Sequence, residues 1–197
     1  MKFPIPLEVS RVTADLRSAG YEAYLVGGCV RDLLLGRNPK DWDVTTNAKP
    51  EQIQAVFPES FYENDFGTVG VKTGSENNAL AIIEVTPYRT ETGYSDKRRP
   101  DAVAFGDNLE EDLARRDFTI NAIALDDSKG HFIDPFKGQE DVESKVLRTV
   151  GVATDRFEED ALRLMRAVRL VAELEFALDA DTAAAIQEKG PNLEQYT

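Results

Sequence analysis

Leu25-Val26-Gly27-Gly28-Cys29-Val30-Arg31-Asp32, followed by Lys40-Asp41-Trp42-Asp43-Val44-Thr45, is the stretch that decides how this chain folds. It reads as a strand, a tight glycine turn that opens a short helix, and a second strand. Adjacent glycines lack Cβ atoms and tolerate positive φ, so the backbone can approach a ligand closely. A helix starting just after them turns its free N–H groups and positive dipole end toward that ligand, which suits a phosphate. Asp41 and Asp43 are two apart, so on a strand both project from one face and Trp42 from the other. Two carboxylates beside a phosphate cradle are what metal-assisted phosphoryl transfer needs, because the carboxylates hold divalent ions and the ions hold the phosphates. Either half alone is a common turn or strand edge; the strand-turn-helix-strand order is the specific part.

The 197 residues suit one large domain, or one domain with a helical extension, and a hydrophobic content of 42% supports a core. No 18-residue apolar run is present to span a membrane, and Met1-Lys2-Phe3-Pro4-Ile5-Pro6 is too polar and short for a signal peptide. The single cysteine, Cys29, cannot form an internal disulfide, which makes a reducing cytoplasm the default. Cys29 and the lone His131 read as a small buried residue and a hairpin residue, not as a catalytic pair. A net charge of −13 argues against polyanion binding by the whole surface. Basic residues nevertheless cluster at Lys97-Arg98-Arg99, at Arg115-Arg116, and at Arg163, Arg166 and Arg169, which leaves room for a local basic groove.

Outward from the opening stretch, apolar spacing predicts a helix over Glu8–Ala19, a strand over Glu22–Val26, a helix over Val30–Leu35 and the acidic strand Asp41–Thr45. Pro50 starts a helix through Phe57. Phe61-Tyr62, Thr68–Lys72 and Leu80–Thr86 read as strands, with a hairpin turn at residues 74–78. The expectation is a mixed α/β sheet, antiparallel at least in its later half. From Tyr88 to Asp107 no periodicity survives. Nearly twenty such residues suggest a functional loop or lid, or a disordered insertion.

Leu109–Arg115 reads as a helix leading into Arg115-Arg116-Asp117-Phe118-Thr119-Ile120-Asn121-Ala122. Asp117 either caps a helix over Phe118–Ile123 or works with the arginines, which would grip a triphosphate while its carboxylate accepts from ribose hydroxyls. A hairpin at 124–133 and the turn Asp134-Pro135-Phe136-Lys137-Gly138 lead into a helix over Gln139–Ser144. From Thr154 the tail is helical, with one apolar stripe of Ala161, Leu164, Met165, Val168, Val171 and Ala172, and with Glu159, Arg163, Arg166 and Glu173 opposite. That face is either decorated with i,i+4 ion pairs or carries a base reader. A carboxylate of Asp160 accepting from an exocyclic amine, beside an Arg163 guanidinium donating to the ring nitrogen, would admit CTP and ATP and refuse GTP and UTP.

In this order the motifs resemble the class II nucleotidyltransferases, the bacterial CCA-adding enzymes and poly(A) polymerases of the polymerase-β superfamily. The likeness rests on Gly27-Gly28-x-Val30-Arg31-Asp32 with Asp41-x-Asp43, on the Arg115–Ala122 run, on Asp134-Pro135-x-x-Gly138, and on Glu159-Asp160-x-x-Arg163-x-x-Arg166. It extends from about residue 20 to 176. It implies an α/β nucleotidyltransferase head with a mixed sheet over residues 1–150, followed by the start of an all-helical neck over 151–197, with body and tail domains absent. By that resemblance Asp41 and Asp43 are catalytic and bind two Mg²⁺, which serve in-line attack of an RNA 3′-hydroxyl on the α-phosphate with release of pyrophosphate. Gly27, Gly28 and Arg31 would contact phosphates. Arg115, Arg116, Asp117 and Asn121 would handle triphosphate and ribose. Glu159, Asp160, Arg163 and Arg166 would receive the incoming base, and Glu84 is a candidate third carboxylate.

Val44-Thr45-Thr46-Asn47-Ala48, and a loop retaining Arg98-Arg99-Pro100-Asp101, are more similar to the tRNA CCA-adding branch of Gram-positive type, so the implied partners are the tRNA 3′ end, CTP and ATP. Addition of A alone, poly(A) synthesis, and a nucleotide-binding module without robust catalysis remain alternatives. A dinucleotide-binding oxidoreductase is disfavoured, since the full G-x-G-x-x-G fingerprint is absent. The sequence leaves the oligomeric state open.

Overall fold

The computed structural model describes residues 3–63, 67–94 and 102–195. Helix α1 (Leu7–Ser18) buries Val9, Val12, Thr13 and Leu16, one face of a 3.6-residue period. Strand β1 (Ala23–Val26) runs into Gly27, which has φ 80° and ψ −141° and precedes the short helix α2 (Gly28–Leu34). That backbone conformation is open to glycine and strained for any other residue. Strand β2 (Asp43–Thr46) pairs antiparallel with β1. It begins at Asp43, so Asp41 precedes the strand in a bend where the sequence suggests it lies within it. The alternation survives, with Trp42 buried and Asp41 exposed.

Helix α3 (Pro50–Val56), strands β3 (Ser60–Tyr62), β4 (Val69–Lys72) and β5 (Ile82–Pro87) follow. The main sheet has the order β3-β4-β5-β2-β1-β8-β9, where β8 (Ala124–Asp126) and β9 (His131–Ile133) form the expected hairpin. Among the described residues of this sheet only β2 and β5 run parallel, and their register sets Asp43 beside Glu84. The sheet is mixed, as expected.

The stretch from Tyr88 to Asp107 is not patternless. Its ends form an antiparallel ribbon of β6 (Arg89–Thr92) and β7 (Ala102–Phe105). Arg89 and Glu91 turn inward and pair with each other, so the alternation is written in charge and escapes a search for hydrophobic period. Arg98, Arg99 and Asp101 lie outside the described residues.

Helix α4 (Leu109–Ala114) is capped by Asn108, which accepts from Glu110 N. The helix expected over Phe118–Ile123 is only a 3₁₀ turn, Thr119–Asn121. Phe118, Ile120 and Ile123 are all buried in the core and Phe118 bridges to Thr149, so burial on several sides, not one helical face, shapes this segment. Helix α5 (Gly138–Ser144) starts where Asp134 accepts from Gly138 N and Gln139 N. A Cβ on Gly138 would stand 2.2 Å from Thr119 O and 2.7 Å from Ile123 Cγ1, which is why glycine ends the Asp134-Pro135-x-x-Gly138 motif. Gly138→Ala is therefore expected to destabilise by about 3 kcal/mol, the upper end for overpacking against backbone, read as a fall in the urea midpoint at unchanged slope.

The tail begins with two helices, α6 (Ala153–Glu159) and α7 (Leu162–Leu174), separated by an extended Asp160. Strands β10 (Val146–Leu147) and β11 (Ala177–Leu178) pair parallel, and α8 (Ala180–Lys189) packs on α6. The break re-phases α7. It buries Arg163, Leu164, Ala167, Leu170 and Leu174, while Met165 and Val168 of the expected stripe are exposed. Both stripes are apolar; Arg163 decides between them by turning inward to Glu159. One apolar cluster runs from α1 and the sheet (Leu16, Leu25, Val44, Ile83) to the tail (Phe157, Leu164, Phe176). Among the described residues no helix is long and apolar enough to cross a membrane.

Candidate active site

The β1–Gly27–α2–β2 unit, joined by Arg116 from just beyond α4, brings three chemically distinct groups to one point. A methyl group on Gly27 would stand 3.2 Å from Asp43 Oδ2 and 3.5 Å from Arg116 Nη1. The backbone at Gly27 is thus bare on the side where a carboxylate and a guanidinium meet. Burial pushes the Asp43 carboxyl above the usual carboxylate range; the charge of Arg116 opposes the shift and that of Asp41 adds to it. Glu84 is raised in the same sense, by burial first and then by Asp43, Glu63 and Asp41, so it shares their field. Among the described residues, however, no three His, Cys, Asp or Glu side chains are gathered closely enough to hold a metal ion by themselves.

Asp41, Asp43, Gly28 and Arg31 line a cleft of about 390 Å³, together with Arg37 and Lys40 from the α2–β2 connection. An adjoining recess of about 240 Å³ adds Asn121, Arg166 and Leu170. A chain of side-chain bonds runs along this wall. Arg31 pairs with Asp32 at 2.8 Å and donates to Asn121 Oδ1 at 2.9 Å; Asn121 donates to Asp117 Oδ1 at 3.2 Å; Asp117 Oδ2 takes Arg166 Nε at 2.7 Å. Asp117 also accepts from Phe118 N at 2.8 Å, so it both orders the turn and holds a cation at the cleft. The charge of Asp117 raises the Arg166 pKa further.

Arg115 and Arg116 diverge. Arg116 faces Gly27 and Asp43, and its buried Nε has no hydrogen-bond partner among the described residues. Arg115 turns to Asp112 and Glu91, so its guanidinium is spent on the ribbon and not on the cleft. Glu159 is bridged by Arg156 and by Arg163 Nη1, the latter at 2.7 Å. Arg163, buried, also donates to the carbonyls of Arg156 and Arg115. Asp160 accepts from Leu162 N and does not form the ion pair with Arg163; Glu159 does. The sequence reading passes over Arg37, Lys40 and Asp112. The first two stand within four residues of Asp41, and Asp112 is three and four residues before the two arginines, spacings that could have marked them.

Comparison with known proteins identifies the family and the fold. The family described as Poly A polymerase head domain matches residues 23–148. The CCA-adding enzyme of Lactobacillus delbrueckii subsp. bulgaricus is 51% identical over 176 residues, covering 89% of this chain and 43% of that protein. The crystal structure of Bacillus stearothermophilus CCA-adding enzyme in complex with CTP matches with a TM-score of 0.85 at 44% identity, over 98% of this chain and 46% of that one. A tRNA nucleotidyltransferase complexed with a primer tRNA and an incoming ATP analog matches with a TM-score of 0.72 at 31% identity, over 93% of this chain and 50% of that one. The chain thus spans half or less of the length of these relatives. Its matched residues run from β1 to just past β10 and contain the glycine turn, Asp41, Asp43, Glu84 and the Arg115–Asn121 segment, and on that basis the chain belongs to the poly(A) polymerase head-domain family, with the nucleotidyltransferase fold of the CCA-adding enzymes.

Proposed function

We propose that this chain carries the catalytic head, residues 1–150, and the start of the neck, 151–197, of an RNA nucleotidyltransferase that adds C and A to the 3′ end of tRNA. The observation that carries the proposal is the convergence of Gly27, Asp43 and Arg116. A bare backbone, a carboxylate whose charge is poorly compensated and a guanidinium with an unused donor together suit a triphosphate and its counter-ion.

Asp41 and Asp43 would hold Mg²⁺. They are hard oxygen donors opening on one cleft, and buried Asp43 gains from a cation beside it. Two protein carboxylates, with the remaining positions left to phosphate and water, are the donor set Mg²⁺ takes, so a third protein ligand at Glu84 is not required. When bound, the metal neutralises phosphate charge and makes the attacking hydroxyl more acidic. The chain's own residues orient the reactants. Arg116 and Arg31 face the phosphates beside Gly27 and Gly28, and Asn121 and Asp117 fix the ribose side. The RNA 3′-oxygen forms the new bond to the α-phosphorus, the bond to the bridging oxygen breaks, and pyrophosphate leaves. Asp160, at the α6–α7 break, and Arg163, held by Glu159, would read the amine-plus-acceptor edge shared by cytosine and adenine. With its one cysteine buried and reduced, the chain suits the cytoplasm.

Equilibrium dialysis with each labelled nucleotide in Mg²⁺ tests the base reading. CTP and ATP are expected to bind about 10-fold or more tighter than GTP and UTP, the discrimination one good bidentate pair provides. Equal binding of all four would contradict it.

A further inference from the structure

Asp112, beside the site, is heavily hydrogen-bonded and lies outside every motif named above. It is fully buried on α4. Its Oδ1 accepts from Arg115 Nε at 3.0 Å and Nη2 at 2.7 Å, and from the backbone N of Arg89 at 3.4 Å. Its Oδ2 accepts from Arg116 Nη2 at 3.1 Å and from Thr45 Oγ1 at 3.2 Å. The donors come from β2, from β6 and from the residues that follow α4. Thr45 stands two residues beyond Asp43 on β2, so carboxylate and hydroxyl are tied to the strand that bears the candidate metal ligand.

The electrostatics explain why a carboxylate is needed there. Arg89, Arg115 and Arg116 crowd together: burial lowers the pKa of Arg89, and the charge of Arg115 lowers it further. Asp112 and Glu91 are the counter-charges. Burial alone would push Asp112 up, but Arg116 and Arg115 more than offset it and keep it ionised. Charge-assisted bonds of this kind also fix direction. The result is a division of labour between adjacent guanidiniums. Arg116 is aimed at Gly27 and Asp43. Arg115 is aimed at Glu91, whose other oxygen accepts from Tyr94 OH at 2.6 Å on the ribbon, while the Arg115 carbonyl accepts from Arg163 at 3.2 Å.

We propose that Asp112 is a positioning residue for nucleotide binding, which holds Arg116 beside Asp43 but short of an ion pair with it, aimed at Gly27 where the phosphates would lie. Without the anchor, Arg116 is free to collapse onto Asp43 and Asp41 and neutralise the carboxylates intended for the cation. This inference rests on the nucleotidyltransferase reading of the site.

The test is Asp112→Asn, which keeps the shape and removes the charge. CTP and ATP dissociation constants are measured by dialysis in Mg²⁺, alongside KM and kcat for incorporation and a thermal scan. Both nucleotides share the triphosphate, so their dissociation constants should rise together, about 10–100-fold, in a protein that still unfolds cooperatively. The RNA KM should not change. Arg116→Ala added to Asp112→Asn should cost little more, because two residues acting as a unit are not additive.

A merely structural Asp112 would lower the melting temperature and the active fraction and leave nucleotide affinity unchanged, and that result overturns the proposal, as does full additivity. Should Asp112→Asn not fold, Thr45→Val decides. It removes one bond to the same carboxylate, and a several-fold weakening for both nucleotides supports the proposal while unchanged affinity overturns it. Wild-type protein that binds no nucleotide refutes the reading of the site itself, whereas wild type that binds beside an unaffected variant refutes only the role of Asp112.

Discussion

Asp43→Asn is expected to make the metal-free protein more stable while abolishing transfer. The Asp43 carboxyl is raised above its ordinary range, chiefly by burial, and Arg116 offsets this only in part. A carboxyl whose folded-state pKa is raised binds its proton more tightly in the native chain than in the unfolded one. Stability therefore falls as pH rises from the ordinary carboxylate value through the raised one, and the whole penalty is present above the raised value. Asparagine removes it. Thermal scans in a chelator should show the variant melting above the wild type, and adding Mg²⁺ should stabilise the wild type alone, since ligands that bind the native state stabilise it by mass action. Transfer should fall by roughly 10³-fold or more, as for loss of a group that stabilises charge at the reacting centre. A variant that melts below the wild type in chelator would mean that attraction to Arg116 outweighs burial at Asp43.

Gly27→Ala should damage activity far more than its single methyl suggests. The residue sits at φ 80°, ψ −141°, where any side chain costs of order 1–3 kcal/mol. The added carbon also stands 3.2 Å from Asp43 Oδ2 and 3.5 Å from Arg116 Nη1. Asp43 must give by a few tenths of an ångström, while Arg116 is only brought into ordinary contact, and Asp43 is the group the proposed chemistry needs. A displacement near 1 Å at a reacting centre costs about 10²-fold, so this smaller one should cost about 10-fold. Steady-state kinetics should thus show kcat down about 10-fold in a protein that remains folded. Alanine at Gly36, equally left-handed at φ 68° but with open space around it, is the control and should cost stability with little change in rate.

The parts of this fold legible from sequence are those where backbone geometry and residue type coincide. Gly27 had to be glycine, and the turn it marks fixes where the flanking elements meet, so β1, α2 and β2 could be placed to within two residues. Less legible are elements whose pattern is ambiguous or charged. Helix α7 is apolar over so wide an arc that Met165 and Val168 looked as inward as Leu164, while buried Leu170 fell outside the expected stripe; the turn of Arg163 toward Glu159, at 2.7 Å, sets the phase. The ribbon of β6 and β7 hid because Arg89 and Glu91 take the places of apolar residues. For the candidate site, residue identity was legible and partnership was not. The sequence pairs Arg115 with Arg116 and Asp160 with Arg163, while the fold separates the first pair and substitutes Glu159 in the second. Such choices depend on neighbours distant in the chain, such as Asp112 lying beside Thr45 across 67 positions.

The central claim, that this head transfers nucleotides to RNA, is tested most directly by incubating the chain with Mg²⁺ and tRNA transcripts ending before, or part-way through, CCA. Each labelled nucleotide is supplied singly and in mixture. The account predicts incorporation of C, then C, then A, with no incorporation of G or U, and complete loss of signal in Asp41→Ala/Asp43→Ala. Incorporation that persists in that double variant, or that accepts all four nucleotides, would contradict it.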